Sequence, residues 1–126
     1  MSRIFVTGGS GRLGRSVVAG LAEAGHNVIS VDRDAIPADQ LPAGVVQETG
    51  DLLAPGEAMR LLRETSPDAV IHLGGVPTED TWDTLLRVNV DGARTVLESA
   101  CAAKVVMTRC VSTGTATSWI SSSRTM

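Results

Sequence analysis

At 126 residues, with 43% apolar and 20% charged side chains, the chain suits one globular domain, since domains of this size bury roughly two-thirds of their unfolded surface. No apolar run approaches the ~20 residues of a membrane-spanning helix, and the first run is too short for a secretion signal, so a cytoplasmic chain with no membrane partner is expected. The net charge of −3 is unevenly placed: residues 1–98 hold eight basic and all 14 acidic groups, and Lys104, Arg109 and Arg124 beyond them are too dispersed for a nucleic-acid footprint. Cys101 and Cys110 are expected as free thiols, and no metal site is expected.

Arg3-Ile4-Phe5-Val6 reads as a buried strand, and Thr7-Gly8-Gly9-Ser10-Gly11-Arg12-Leu13-Gly14 follows it as a glycine-rich turn that opens a helix. Glycines at 8, 11 and 14 allow a tight turn, a close backbone approach to a pyrophosphate, and a helix seated against its strand. The start of that helix adds unpaired N–H groups and the positive end of a dipole, which together favour a phosphate. Leu13, Val17, Val18 and Leu21 predict one apolar stripe ending near Gly25, before a second strand at Val28-Ile29-Ser30-Val31. Asp32 closes that strand 18 residues beyond Gly14, near the ~20 expected of an acidic residue that holds a ribose.

A connection through Pro37, Pro42 and Gly44 leads to a third strand at Val45-Val46-Gln47-Glu48, which Gly50-Asp51-Leu52 ends. The pattern then predicts a helix over 55–65 with Met59, Leu61 and Leu62 for packing, and a fourth strand, Ala69-Val70-Ile71-His72-Leu73. His72, in an apolar strand, is expected to be a packed core residue. Trp82 to Ala103 reads as one long helix with Leu85, Leu86, Val90, Val96, Leu97 and Ala100 on its packing side, and Val105-Val106-Met107 as a fifth strand. Strands alternating with helices imply an α/β fold, a Rossmann-like doubly wound parallel sheet covered on both faces. Nine of the last 16 residues are Ser or Thr without period, so the expected division is a dinucleotide-binding unit over 1–110 and a disordered tail over 111–126.

The Gly-x-x-Gly-x-x-Gly spacing, with Asp32, Gly50-Asp51-Leu52, His72-Leu73-Gly74-Gly75 and Asn89-Val90-Asp91-Gly92, resembles the extended short-chain dehydrogenase/reductase family. Its members are NAD-dependent epimerases and dehydratases of sugar metabolism. The resemblance covers residues 3 to about 107, and within the family His72-Leu73-Gly74-Gly75-Val76 followed by acidic residues and Trp82 is similar to uronate dehydrogenases. It implies that Gly8, Gly11, Arg12, Leu13 and Gly14 hold the pyrophosphate, Asp32 the adenosine ribose, and Asp51 and Leu52 the adenine. Leu73, Gly74 and Gly75 would pass under the cofactor, and Asn89 would shape its helix near the active centre. For Asp51 the residue-level alternative is a turn cap, and for Asn89 a bond to backbone inside its helix. NAD is the first choice of cofactor because Asp32 repels a 2′-phosphate; NADP stays open because Arg12 and Arg33 could pair one. The family also implies a sugar or nucleotide-sugar substrate and a homodimer through helix 82–103.

The family's chemistry needs a tyrosine base with a lysine four residues later, and this sequence has no tyrosine, its lone lysine being Lys104. No catalytic residue is therefore assigned, and the composition break after Glu98 reads as truncation after about five strands, with an altered reading frame in the last ~20 residues. Two readings follow: the cofactor half of a hydride-transferring sugar enzyme, itself inactive, or a non-catalytic NAD(P)-binding or sensor module. A methyltransferase with a similar glycine turn is disfavoured by the spacing.

Overall fold

The computed structural model of the chain describes residues 2–76, 79–105 and, as backbone, 107–111 and 117–121. Strand β1 (Arg3–Thr7) leads through the glycine turn into helix α1 (Arg12–Glu23), then β2 (Asn27–Asp32), a 3₁₀ turn at Ala38–Gln40 and β3 (Val45–Thr49). Helix α2 (Glu57–Thr65) and β4 (Ala69–His72) follow, then α3 (Trp82–Leu85), α4 (Gly92–Ala102), β5 (Met107–Val111) and β6 (Thr117–Ser121). The sheet order is β3-β2-β1-β4-β5-β6, parallel through β5, with β6 antiparallel at the edge. The chain moves outward from β1 in one direction, then restarts at β4 on the other side. That reversal opens a crevice beyond the carboxyl ends of β1 and β4, where ligands bind in doubly wound sheets.

Period-2 alternation on the strands builds two apolar layers. Phe5, Ile29, Val31 and Val70 pack with Leu61 and Leu62 of α2 and Val96 and Ala100 of α4. Ile4, Val6 and Val28 face the other way, onto Val18, Leu21 and Ala22 of α1. The face of α1 that meets the sheet is thus Gly14–Val18–Leu21–Ala22, and Leu13, expected in the stripe, is 51% exposed. The cause is Gly14, where any Cβ would overlap the carbonyl oxygen of Gly8, so the helix lies tightly on the turn along that side and rotates Leu13 outward. Gly25, with φ of +91°, closes the helix as expected, and the His26 N–H donates back to the Leu21 carbonyl at 3.1 Å.

Four expectations are corrected. The helix expected from Trp82 to Ala103 is interrupted by a π-wound segment, Leu86–Asp91, whose wider turn changes the angular phase between its two ends. Val96 and Ala100 are buried as expected, whereas Trp82 at 71%, Val90 at 56% and Leu86 at 36% are exposed. The fifth strand lies at Met107–Val111, later than 105–107; Val105 is a buried residue before it, and Val106 is outside the described residues. The sheet does not stop at five strands, because Thr117–Ser121, placed in the irregular tail by its composition, pairs with β5 from Met107↔Ser121 to Val111↔Thr117. That segment, Thr-Ser-Trp-Ile-Ser, mixes β-branched and aromatic residues that fit a pleated edge, and the sheet crosses the boundary expected at 110. The remaining tail residues, 112–116 and 122–126, lie outside the described residues.

Phe5 is 1% exposed and sits at the centre of the α2–α4 layer. Phe5→Ala is expected to cost about 3–5 kcal/mol of stability, read as a lower urea midpoint with little change in slope.

Candidate functional site: the glycine turn at the sheet's switch point

Thr7 ends β1 and registers with Val31 on β2 and His72 on β4, so the turn after it begins where the two halves of the sheet diverge. Gly8 has a φ of +69°, and a Cβ there would stand 2.8 Å from the Gly74 nitrogen and 2.9 Å from the Leu73 carbonyl carbon. Only glycine allows both the turn and that contact. The Gly8 carbonyl accepts from the Gly11 N–H at 3.1 Å, and Gly14 packs directly on it. Gly11 then takes the N-cap of α1 in ordinary extended geometry, φ −72° and ψ 172°, and contributes no side-chain cap. The first-turn N–H groups at Arg12, Leu13 and Gly14 are therefore left without a capping oxygen from Gly11. A Cβ on Gly11 would meet only the Gly8 oxygen, at 3.3 Å.

Asp32, at the end of β2, is brought against the same turn. Its Oδ2 accepts from the Ser10 N–H at 3.1 Å and its Oδ1 from the Arg33 N–H at 2.7 Å, which fixes the carboxylate beside the glycine turn. The Ser10 hydroxyl donates to the Asp34 carbonyl and Arg15 Nε to the Ser10 carbonyl, tying turn, strand end and helix together. Arg12 and Arg33 are both exposed.

The segment after β4 forms the other wall. The Leu73 and Gly74 N–H groups each donate to Thr7 Oγ1 at 3.1 Å. Beyond them, Asn89 in the π-wound segment reaches across: its Oδ1 accepts from the Val76 N–H at 2.7 Å and its Nδ2 donates to the Val76 carbonyl at 3.2 Å. A Cβ on Gly75 would stand 2.9 Å from Asn89 Oδ1. Asn89 thus binds backbone in the facing loop, not inside its own helix, and the irregular winding is what aims it there. Asp51 Oδ1 accepts from the Leu53 N–H at 3.0 Å, a turn-capping bond, and Leu52 packs against the core edge. The structure gathers the glycine turn, Asp32, Leu73–Gly75 and Asn89 around one crevice, with Asp51 and Leu52 following β3.

Three contributors escaped the motif reading. Gly9 is as constrained as its neighbours, since a Cβ there would overlap Ser30 Oγ, and its N–H donates to the Val31 carbonyl at 3.3 Å. Ser10 holds Asp32, and Thr7 holds the Leu73–Gly74 wall. His72 is buried as expected, with Nδ1 2.6 Å from Thr7 Oγ1, and burial alone lowers its pKa from the ordinary 6.5 to about 4. It is held neutral. Among the described residues no group of His, Cys, Asp and Glu is arranged to hold a metal, and no helix is long and apolar enough to cross a membrane.

The sequence profile of the NAD dependent epimerase/dehydratase family matches residues 4–122. A 2-alkyl-3-oxoalkanoate reductase of Stenotrophomonas maltophilia is 36% identical over 102 residues, which is 80% of this chain and 30% of the relative. The Bordetella bronchiseptica enzyme WbmG in complex with NAD and UDP superposes with a TM-score of 0.74 at 28% identity, over 85% of this chain and 36% of WbmG. A mutated uronate dehydrogenase gives a TM-score of 0.73 at 28% identity, over 85% of this chain and 38% of that enzyme. The chain spans about a third of the length of these proteins.

Two outcomes follow from the geometry. Gly9→Ala is expected to lose about 1–3 kcal/mol by overpacking against Ser30, and adding Ser30→Ala to restore part of it, measured by urea unfolding. The unfolded chain takes up a proton on His72 near pH 6.5, while the fold resists it until about 4. The His72 contribution is therefore complete above pH 6.5 and falls as pH drops to 4, about 3 kcal/mol in all. His72→Asn removes that titration, so the stability gap between wild type and variant should narrow over this window.

Proposed function

Because the chain belongs to the NAD dependent epimerase/dehydratase family, we propose that it is the NAD-binding portion of an enzyme that moves hydride on a sugar or nucleotide sugar. The observation that carries this is Gly11. Its φ is ordinary, a Cβ on it would meet one oxygen at 3.3 Å, and it stands at the N-cap of an uncapped helix on the crevice. Glycine at this position leaves the helix terminus without a side chain, which supports a reading in which a phosphate approaches the backbone there.

In this reading the first-turn N–H groups of Arg12, Leu13 and Gly14 hold the pyrophosphate, and Asp32 accepts the ribose hydroxyls. Leu73, Gly74 and Gly75 form the wall beneath the cofactor, with Asn89 holding their loop, and Leu52 and Asp51 bound the adenine. When bound, NAD supplies the hydride acceptor. The fixed Asp32 charge disfavours a 2′-phosphate, which ranks NAD above NADP, while Arg12 and Arg33 are the exposed cations that NADP would use. UDP with NAD in WbmG and the uronate dehydrogenase neighbour support a sugar or nucleotide-sugar substrate. Trp82, Leu86 and Val90, exposed at four-residue spacing, support pairing with a second copy along helix 82–103.

A second reading, a non-catalytic NAD(P)-binding or sensor module, is favoured by the absence of any tyrosine from the 126 residues. Both readings predict binding without turnover by this chain. In calorimetric titrations NAD should bind more tightly than NADP, and assays with uronates and sugar nucleotides should show no turnover. Gly11→Val should weaken NAD binding at least tenfold, about 1.4 kcal/mol, measured under conditions where the variant is folded, since valine at the N-cap also lowers stability by about 1 kcal/mol. Unchanged affinity would remove the cradle from the site, and measurable turnover would overturn the inactive reading.

A further inference from the structure

We propose that Thr7 and His72 form a buried positioning pair that sets where the backbone of the cofactor crevice stands, with His72 held as the tautomer bearing its proton on Nε2. The inference rests on the reading of this crevice as the NAD site.

The assignment follows from counting hydrogen-bond capacity. A threonine hydroxyl has one proton to donate and two lone pairs to accept with. Thr7 Oγ1 accepts from the Gly74 N–H at 3.1 Å and takes a share of the Leu73 N–H, also at 3.1 Å, which donates as well to the Thr7 carbonyl at 3.2 Å. Of the partners that Oγ1 meets among the described residues, only His72 Nδ1, at 2.6 Å, can accept the hydroxyl proton, so Thr7 donates and Nδ1 accepts. A proton on Nδ1 would crowd a third donor onto the same oxygen and leave the hydroxyl proton without the acceptor it has here. All of this happens out of water, because Thr7 is 0% and His72 5% exposed. An unmatched donor there is costly, so the arrangement has one satisfied state.

The consequence reaches the helix terminus by contact. The hydroxyl holds the Leu73–Gly74 peptide, and that peptide is the surface on which Gly8 rests at less than the approach any side chain would allow. The Gly8 carbonyl in turn receives the Gly11 N–H and supports Gly14, the two residues that set the N-terminus of α1. His72 touches none of the positions assigned to the pyrophosphate. It acts through Thr7, and its chemistry as a hydrogen-bond acceptor is what the site uses.

Long-range ¹H–¹⁵N correlation on histidine-labelled protein is expected to show His72 neutral with Nδ1 unprotonated at pH 7; a protonated Nδ1 would overturn the assignment. His72→Leu keeps bulk and removes the acceptor, whereas His72→Asn keeps an acceptor at the same place along the side chain. His72→Leu should speed amide exchange at Gly74 about tenfold relative to Val70 in the same strand and weaken NAD binding about tenfold, and His72→Asn should restore both to within about twofold. Equal exchange at Gly74 in wild type and His72→Leu, or equal loss in both variants, would refute the pair. Failure of the wild-type chain to bind NAD would refute the cofactor reading alone, because the tautomer and the Gly74 exchange are read without ligand.

Discussion

The close approach of Gly8 to the Leu73–Gly74 peptide is the constraint on which the rest of this structure depends. The two segments come from opposite halves of the sheet, one leaving β1 and the other leaving β4, and they meet beyond the point where the strand order reverses. A side chain at Gly8 would push them apart, and the carbonyl that Gly11 and Gly14 both rest on would move with it. The glycines of the turn thus have different reasons to be glycine. Gly8, Gly9 and Gly14 make room for the protein's own atoms, whereas a Cβ at Gly11 would meet only the Gly8 carbonyl oxygen, at 3.3 Å.

Such a turn has little apolar surface to hold it, so polar contacts do the fixing. Thr7, Ser30 and His72 are the buried polar side chains among the described residues, and all three lie against the turn or its wall. Burying a polar group without a partner costs more than a partnered one returns, which makes a satisfied network rigid and a half-satisfied one unstable. At the other side of the turn Asp32 receives two backbone N–H groups. The cradle is braced from β2 by a carboxylate and from β4 by a hydroxyl, and its open side faces the crevice.

What could be read from the sequence was whatever depends on neighbours along the chain. The strands β1, β2 and β4 announce themselves as short apolar runs, and Gly8, Gly11, Gly14 and Asp32 as a spaced pattern whose parts share one βαβ unit. Gly9, Ser10 and Thr7 stayed invisible because their partners, Ser30, Asp32, Leu73 and Gly74, lie 21 to 67 residues away and no local rule marks them. Leu13 was misplaced for a related reason: periodicity gives a helix an apolar side, but the tight seat of Gly14 decided which side faces the sheet. The π-wound segment at Leu86–Asp91 left no trace in composition, and it turned Trp82, Leu86 and Val90 outward while aiming Asn89 at Val76. Strand β6 was hidden by Ser and Thr, which signal irregular chain in isolation and accept an edge position once β5 offers a ladder.

Holding a dinucleotide and transferring hydride make different demands on a chain. In the proposed reading the first is met by backbone N–H groups, by glycines and by one carboxylate, all set by the strands and turns around the point where the sheet order reverses. The second needs a side chain with a tunable proton placed at the reacting carbon, and a phenol is what the family resemblance implies for that role. With no tyrosine in the sequence and the Nδ1 of His72 turned inward to Thr7, no residue is assigned to the second demand. A site built from backbone can persist in a chain that has lost, or does not itself carry, the chemistry, since no atom of the cradle depends on the catalytic group.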